Sequence, residues 1–148
     1  MWISAAMDNL GDGNGMWDEE DGFFYDVLRL PDGQAQRLKV RSMVGLLPLC
    51  AATVFEAEQC DRYPEIQERF RWFLDARPEL CRSIHDPRQL GVADRRLSSI
   101  LTETRLRRVL AKMLDEKEFL SPYGLRSISR FHAEHPYVIS AGGQVHRV

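Results

Sequence analysis

Residues 16–42 read MWDEEDGFFYDVLRLPDGQAQRLKVRS. Four acids in a row, Asp18 to Asp21, end at Gly22. A β-branched and aromatic run follows from Phe23 to Leu30. Pro31-Asp32-Gly33 breaks it, and a second run from Gln34 to Val40 returns. Pro pre-sets φ at the first turn position, Asp bonds its own backbone and Gly accepts positive φ, so the break is a hairpin turn. Ahead of the acids lies a Gly-rich loop, Gly11-Asp12-Gly13-Asn14-Gly15. The expectation is an acidic, aromatic-rich hairpin set between helices, where a pocket can form. A solvated acidic loop over a surface hairpin is the plainer reading of the same residues.

Upstream, Trp2 to Asn9 reads as the last turns of a helix that stops at Gly11. Downstream, Arg41 to Glu58 has the pattern of a helix with Ser42 as its N-cap. Its apolar residues, Met43, Val44, Leu46, Leu47, Cys50, Val54 and Phe55, cover more than one face, which predicts a buried helix. Pro48 should kink it or mark its first turn. Pro64 to Ala76 carries Ile66, Phe70, Phe73 and Leu74 on one stripe, the pattern of an outer amphipathic helix. Together the two predict an αα-hairpin, with Phe70 and Phe73 against Leu47 and Val54.

Arg77 to Ser99 reads as loop. Thr102 caps a helix running to about Lys117, with Leu106, Val109, Leu110, Met113 and Leu114 as its apolar stripe. Arg105, Arg107, Arg108, Lys112 and Glu116 then form a solvated face. Pro122 and Gly124 keep Phe119 to Phe131 irregular. Tyr137 to Ile139 and Gln144 to Val148 read as two short strands about Gly142-Gly143. The helix cut short at one end and the strand at the other predict one domain, residues 1–148, that is a fragment of a larger one.

Composition excludes several classes. The 148 residues carry a net charge of −2, so no basic field points to nucleic acid. No apolar run approaches the roughly 20 residues of a membrane helix. No secretory signal is visible at the N-terminus. Cys50, Cys60 and Cys81 lack metal-type spacing, and reduced thiols fit a cytoplasmic setting. A calcium loop starting at Asp8, with Asp12, Gly13 and Glu19 at the right places, fails at Leu10 in the third ligand position. His132 and His135 lack the inverted zinc spacing. No cofactor and no metal is expected.

The run GMWDEEDGFFYDVLRLPDGQAQRLKVRSMVGLLPL (15–49) closely resembles a segment of bacterial glucosidase-like proteins of glycoside hydrolase family 63. RYPEIQERFRWFLDARPEL (62–80), LRRVLAKMLDEKEFLSPYGLRSISRFHAEHPYV (106–138) and GQVHRV (143–148) look like the same family in the same order. The trehalase family is similar more distantly. The resemblance implies a mainly α fold, a partial (α/α)6 toroid of helical hairpins with a β-hairpin insertion near the N-terminus. It also implies inverting hydrolysis of α-glucosidic bonds in a longer protein, whose acid and base carboxylates lie outside this chain.

Inverting enzymes hold two carboxyl groups roughly 6.5–9.5 Å apart, and neighbours in one acidic run do not make such an opposed pair. No catalytic residue is therefore assigned here. The expected partner is a carbohydrate, and the expected role is pocket wall. Trp17, Phe24 and Tyr25 offer faces for a sugar ring, and Asp18 and Asp26 accept its hydroxyls; Phe23 and Tyr25 equally fit a core. Arg41 joins this set. Tyr123, Gly124, Arg126 and Ser127 form a second set, on a loop that should share one mouth with the hairpin and let Arg126 reach its acids. The alternative class is a non-catalytic helical protein that self-associates through exposed apolar helix faces.

Overall fold

A computed structural model describes residues 2–8, 15–31, 33–82, 84–141 and 144–148. The chain begins with α1 (Trp2–Asp8). The acidic stretch is a tight turn between β1 (Trp17–Asp18) and β2 (Phe23–Phe24), paired Trp17 to Phe24 and Asp18 to Phe23. Gly22 closes this turn at φ +63°, a conformation that glycine adopts without a Cβ clash. The hairpin proper follows: β3 (Asp26–Arg29) pairs antiparallel with β4 (Ala35–Leu38) across the Pro31–Gly33 turn. The aromatic run is thus split, with Phe23 and Phe24 turned back on β1 and Tyr25 at the junction.

The predicted helix Arg41–Glu58 does not form. Met43–Cys50 is a 3-10 helix, Ala52–Phe55 is β5, and Ala57–Arg62 is the short helix α2. Pro48 has no N–H to donate, and β-branched Thr53 and Val54 favour an extended backbone. The 3-10 segment closes on itself: Ala51 N–H bonds Pro48 O at 3.2 Å, at φ −86°, ψ 58°. Its position is fixed by Gly45, where a Cβ would lie 2.4 Å from both the Phe23 ring and Phe24 O. Apolar residues all round did not mean burial: Met43, Val44 and Leu47 are about half exposed.

Thus α3 (Pro64–Ala76) forms over the expected span but has no inner helix to back, and Leu47 and Val54 stay exposed. Strand β5 pairs instead with β6 (Arg96–Ser99), inside the stretch expected to be loop. Among the described residues the ten strands make five separate two-stranded antiparallel sheets, so the mainly α toroid is overturned. The fold is mixed, small hairpins alternating with short helices.

The remaining elements follow the sequence more closely. Thr102 caps α4 (Glu103–Met113), its Oγ1 accepting the Arg105 N–H at 3.4 Å. The helix stops at Met113, short of Lys117. β7 (Leu120–Ser121) and β8 (Gly124–Leu125) make a tight turn around Tyr123. A 3-10 turn spans Arg130–Ala133, and β9 (Val138–Ala141) pairs with β10 (Gln144–Arg147). No helix among the described residues is long and apolar enough to cross a membrane.

The core is one cluster: Trp17, Phe23, Phe24, Tyr25, Leu46, Leu101, Val109 and Phe119. Phe23, Val109 and Phe119 are fully buried, and Phe23 stacks on Phe119 with ring centroids 5.6 Å apart. Burying each such side chain stabilises by about 1.5–3 kcal/mol. The core therefore ties the hairpin to α4 and to the segment after it.

Candidate functional site

The acidic turn is held by cations from two directions. Arg37, Lys39 and Arg41 alternate along the returning strand and its extension, which puts them on one face. Asp18 Oδ2 takes Arg37 Nη1 at 2.9 Å and Lys39 Nζ at 3.0 Å, while its Oδ1 accepts the Asp21 N–H at 2.8 Å. Asp21 Oδ2 takes Lys39 Nζ at 3.0 Å and the Tyr25 hydroxyl at 3.0 Å, and its Oδ1 takes Arg41 Nη2 at 3.3 Å.

From the other side α4 brings Arg105 and Arg108, which do not form a solvated face. Their guanidinium carbons lie 4.8 and 5.6 Å from the Trp17 ring centroid. Arg108 also pairs with Glu19 at 3.2 Å and donates to Glu20 O at 2.9 Å, and Arg105 pairs with Asp8 at 2.6 Å.

Arg41 is the hub. It is 9% exposed, lies 3.8 Å over the Phe131 ring centroid, and pairs through Nη1 with Glu118. Its Nε donates to Tyr25 Oη at 3.3 Å, and its amide donates to His132 Nε2 at 2.8 Å. That bond requires an unprotonated Nε2, so His132 carries its proton on Nδ1, 3.0 Å from His135 O. Glu118 is finished by the Ser129 hydroxyl at 2.5 Å and by Lys112 at 3.5 Å.

Burial works against charge on Asp18, but the Asp21 amide, Lys39 and Arg37 outweigh it and hold the carboxyl below the usual range. Asp21 is likewise lowered, against burial, by Lys39 and Tyr25. Burial also opposes the charged forms of Lys39 and Arg41. Bonds to the acids for Lys39, and to Tyr25 and its neighbouring acids for Arg41, still raise both. Burial pushes the Tyr25 phenol up to about 12 against the pull of Arg41, with the Asp21 charge adding to the rise. Asp18 and Asp21 are thus ionised hydrogen-bond acceptors at neutral pH, the opposite of the raised-pKa acid that glycoside cleavage requires.

The expected site residues fall into two groups. Trp17, Asp18, Phe24 and Arg41 are buried, with Trp17 and Phe24 packed on each other at 4.8 Å between centroids. Asp26, Tyr123, Gly124 and Ser127 are exposed, Tyr123 by 99%. Arg126 does not reach the hairpin acids. It clamps its own loop, donating to the carbonyls of Glu116 at 3.1 Å, Glu118 at 3.3 Å and Leu120.

The Tyr123–Ser127 loop meets the chain at the exit of the β3–β4 hairpin, through the backbone, and not at the acidic turn. Met43 N–H bonds Ser127 O at 2.7 Å and Ser129 N–H bonds Arg41 O at 2.8 Å. Arg37, Lys39, Glu118 and Ser129 escaped the sequence reading, and His132 entered it only as a rejected zinc ligand. The first two had a signal, a period-two run of cations facing an acidic run. The other three join only through the fold.

Among the described residues no three His, Cys, Asp or Glu side chains are placed to hold a metal ion. The calcium-type loop from Asp8 rests on Leu10, Asp12 and Gly13, which lie outside the described residues.

No family model matches the chain, and no solved structure matches it. It is 40% identical over 129 residues to the uncharacterized protein YMR196W of Saccharomyces cerevisiae. The match takes in 86% of this chain and 12% of the yeast protein, so the chain spans about an eighth of the length of that curated relative.

Proposed function

We propose that this chain is a pocket-wall segment of a family 63-like α-glucosidase, and that it holds sugar without cleaving it. The reading rests on the resemblance of four long runs, in order, to that family. The observation that carries the division of labour is the state of the hairpin carboxylates. Asp18 and Asp21 are each bound by two cationic groups and kept ionised. Such groups position and accept; they do not protonate a leaving oxygen.

Contact with the sugar falls to the exposed set, Asp26, Tyr123, Gly124 and Ser127. Tyr123 stands on a turn stiffened by the Ser121 hydroxyl, which bonds Gly124 O at 2.7 Å, and by the Arg126 clamp. The turn's backbone is fixed in this way, and the exposed Tyr123 phenol offers a stacking face and a hydroxyl. Free thiols at Cys50 and Cys81 suit the cytoplasmic setting included in the proposal.

The test is a maltose titration followed by amide chemical shifts. Shifts confined to Tyr123–Ser127 and Asp26, and absent in Tyr123→Ala, are expected, with 4-nitrophenyl α-glucoside hydrolysed only at background. Hydrolysis lost on Asp18→Asn would overturn the division of labour. Maltose shifts scattered over the surface, or none, would overturn the site.

A further inference from the structure

The seam between the hairpin exit and the 127–132 segment is a short antiparallel ladder. Met43 N–H bonds Ser127 O at 2.7 Å, Ser42 and Ile128 form a bridge pair, and Ser129 N–H bonds Arg41 O at 2.8 Å. The next donor along this ladder is the Arg41 amide. It goes not to a carbonyl but to the His132 ring, which the Arg130–Ala133 turn brings round, and Nε2 accepts it at 2.8 Å.

An imidazole nitrogen differs from a carbonyl in one respect: a proton can remove it as an acceptor. Histidine is the side chain that ordinarily changes charge between about pH 5 and 8. This ring has only one place for a second proton. Nδ1 lies 3.0 Å from His135 O and already carries the first, so the second goes on Nε2, against the Arg41 N–H. Two N–H groups then point at each other, and a buried donor is left without an acceptor. His132 and Arg41 are 8 and 9% exposed, which leaves little room for water to step in.

The charges around the ring come from three elements. The hairpin exit supplies Arg41, whose guanidinium is matched by Glu118 and Asp21. The segment after α4 supplies Glu118, shared with Lys112 and the Ser129 hydroxyl. The turn itself carries Arg130, Glu134 and His135, the last stacked on Phe131 with its Nδ1 3.3 Å from Phe131 O. Among the described residues no carboxylate bonds the His132 ring, so no direct contact offsets a charge placed on it.

We propose that His132 is an acid-sensitive latch. Neutral, it holds the Arg130–Ala133 turn against the hairpin exit; protonated, it gives up the Arg41 amide and the end of the ladder opens. The proposal is independent of the sugar reading.

Nitrogen-15 NMR of the full chain between about pH 8 and 5 tests it. At the upper end the His132 ring should show Nδ1 protonated and Nε2 bare. As Nε2 takes its proton, the Arg41 amide should lose roughly tenfold or more of its protection against hydrogen exchange, taken relative to the unstructured-chain rate at each pH. The Met43 amide, farther along the ladder, should keep its protection. His132→Gln, which offers an oxygen that no proton removes in this range, should keep Arg41 protected throughout, and His135→Gln should respond as the parent does. Four results would overturn the proposal. These are an Arg41 amide equally protected before and after His132 titrates, a His132 ring still neutral at the acid end, a loss shared equally by Met43, or the same loss in a folded His132→Gln. Should that variant fail to fold, the parent and His135→Gln decide.

Discussion

The hairpin face and the α2–α3 arm are both rich in aromatic and charged residues, yet they use them in opposite ways. In the hairpin, Trp17 and Phe23 to Tyr25 are buried in a row, and Asp18, Asp21 and Arg41 each have several partners. In the arm, no described residue from 51 to 73 is buried, and Trp72 is 71% exposed. The difference lies in what faces each region. The hairpin meets α4 and the 118–132 segment of its own chain. The arm presents a comparable surface outward, with Tyr63, Ile66 and Trp72 exposed. A residue's type alone therefore does not set its energy; the supply of a partner does.

The contrast breaks most sharply in the aromatic core. Phe23→Ala should lower unfolding free energy by ~3–5 kcal/mol in urea titrations, because a fully buried ring leaves a cavity. Ile66→Ala in the arm should change it by less than ~0.5 kcal/mol, since that side chain is 63% exposed. Equal losses would show that the arm is part of the same core.

Arg41→Gln should cost about 3 kcal/mol by the same measurement, because Glu118, 8% exposed, loses its principal cation. Gly22→Ala should cost about 2 kcal/mol. The φ of +63° strains any other residue, and the new Cβ would lie 2.2 Å from Arg108 Nε, dislodging the guanidinium from the acidic turn.

Acid and alkali should act on the hairpin from either side. Asp18 and Asp21 have folded-state values below their ordinary 3.8, so their contribution is present above that pH and is lost as pH falls through the lowered values. Asp18→Asn with Asp21→Asn should flatten the acid limb of the stability profile. Tyr25, raised from 10.0 to about 12, contributes below pH 10, and that contribution is lost as pH climbs through about 12. Tyr25→Phe should remove this alkaline limb. Smallest of all should be Arg95→Ala in the arm, whose pair with Glu56 is half exposed on both sides: ~0–1 kcal/mol, further reduced by salt.

Local signals in the sequence were read well where they decide the structure locally. Pro31-Asp32-Gly33 marks the hairpin, Pro64 starts α3, and Thr102 caps α4, as the structure has them. The failure at Arg41–Glu58 has a physical origin. An apolar run without period says only that water is avoided, and Gly45, Pro48 and Thr53-Val54 each favour a backbone other than the α-helix. The β5–β6 ladder joins strands more than forty positions apart, beyond the reach of a periodicity argument. Much of the charge network was hidden for the same reason. Arg105 and Arg108 look solvated until the acids of residues 8 and 19 fold against them.

Arg41 sets a timetable. Its bonded partners Glu118 and His132 follow it by 77 and 91 positions. Closing so long a loop is slow compared with forming a hairpin. At about 5–20 residues per second of synthesis, the interval from Arg41 to His132 is about 5 to 18 seconds. Until Glu118 and Phe119 are made, late in that interval, the stacking face of the Phe23 ring and one side of the Arg41 guanidinium lack the surfaces that will cover them, and the arm is made meanwhile. The residues that most stabilise the finished hairpin are thus the ones that leave it longest unprotected while the chain is being born.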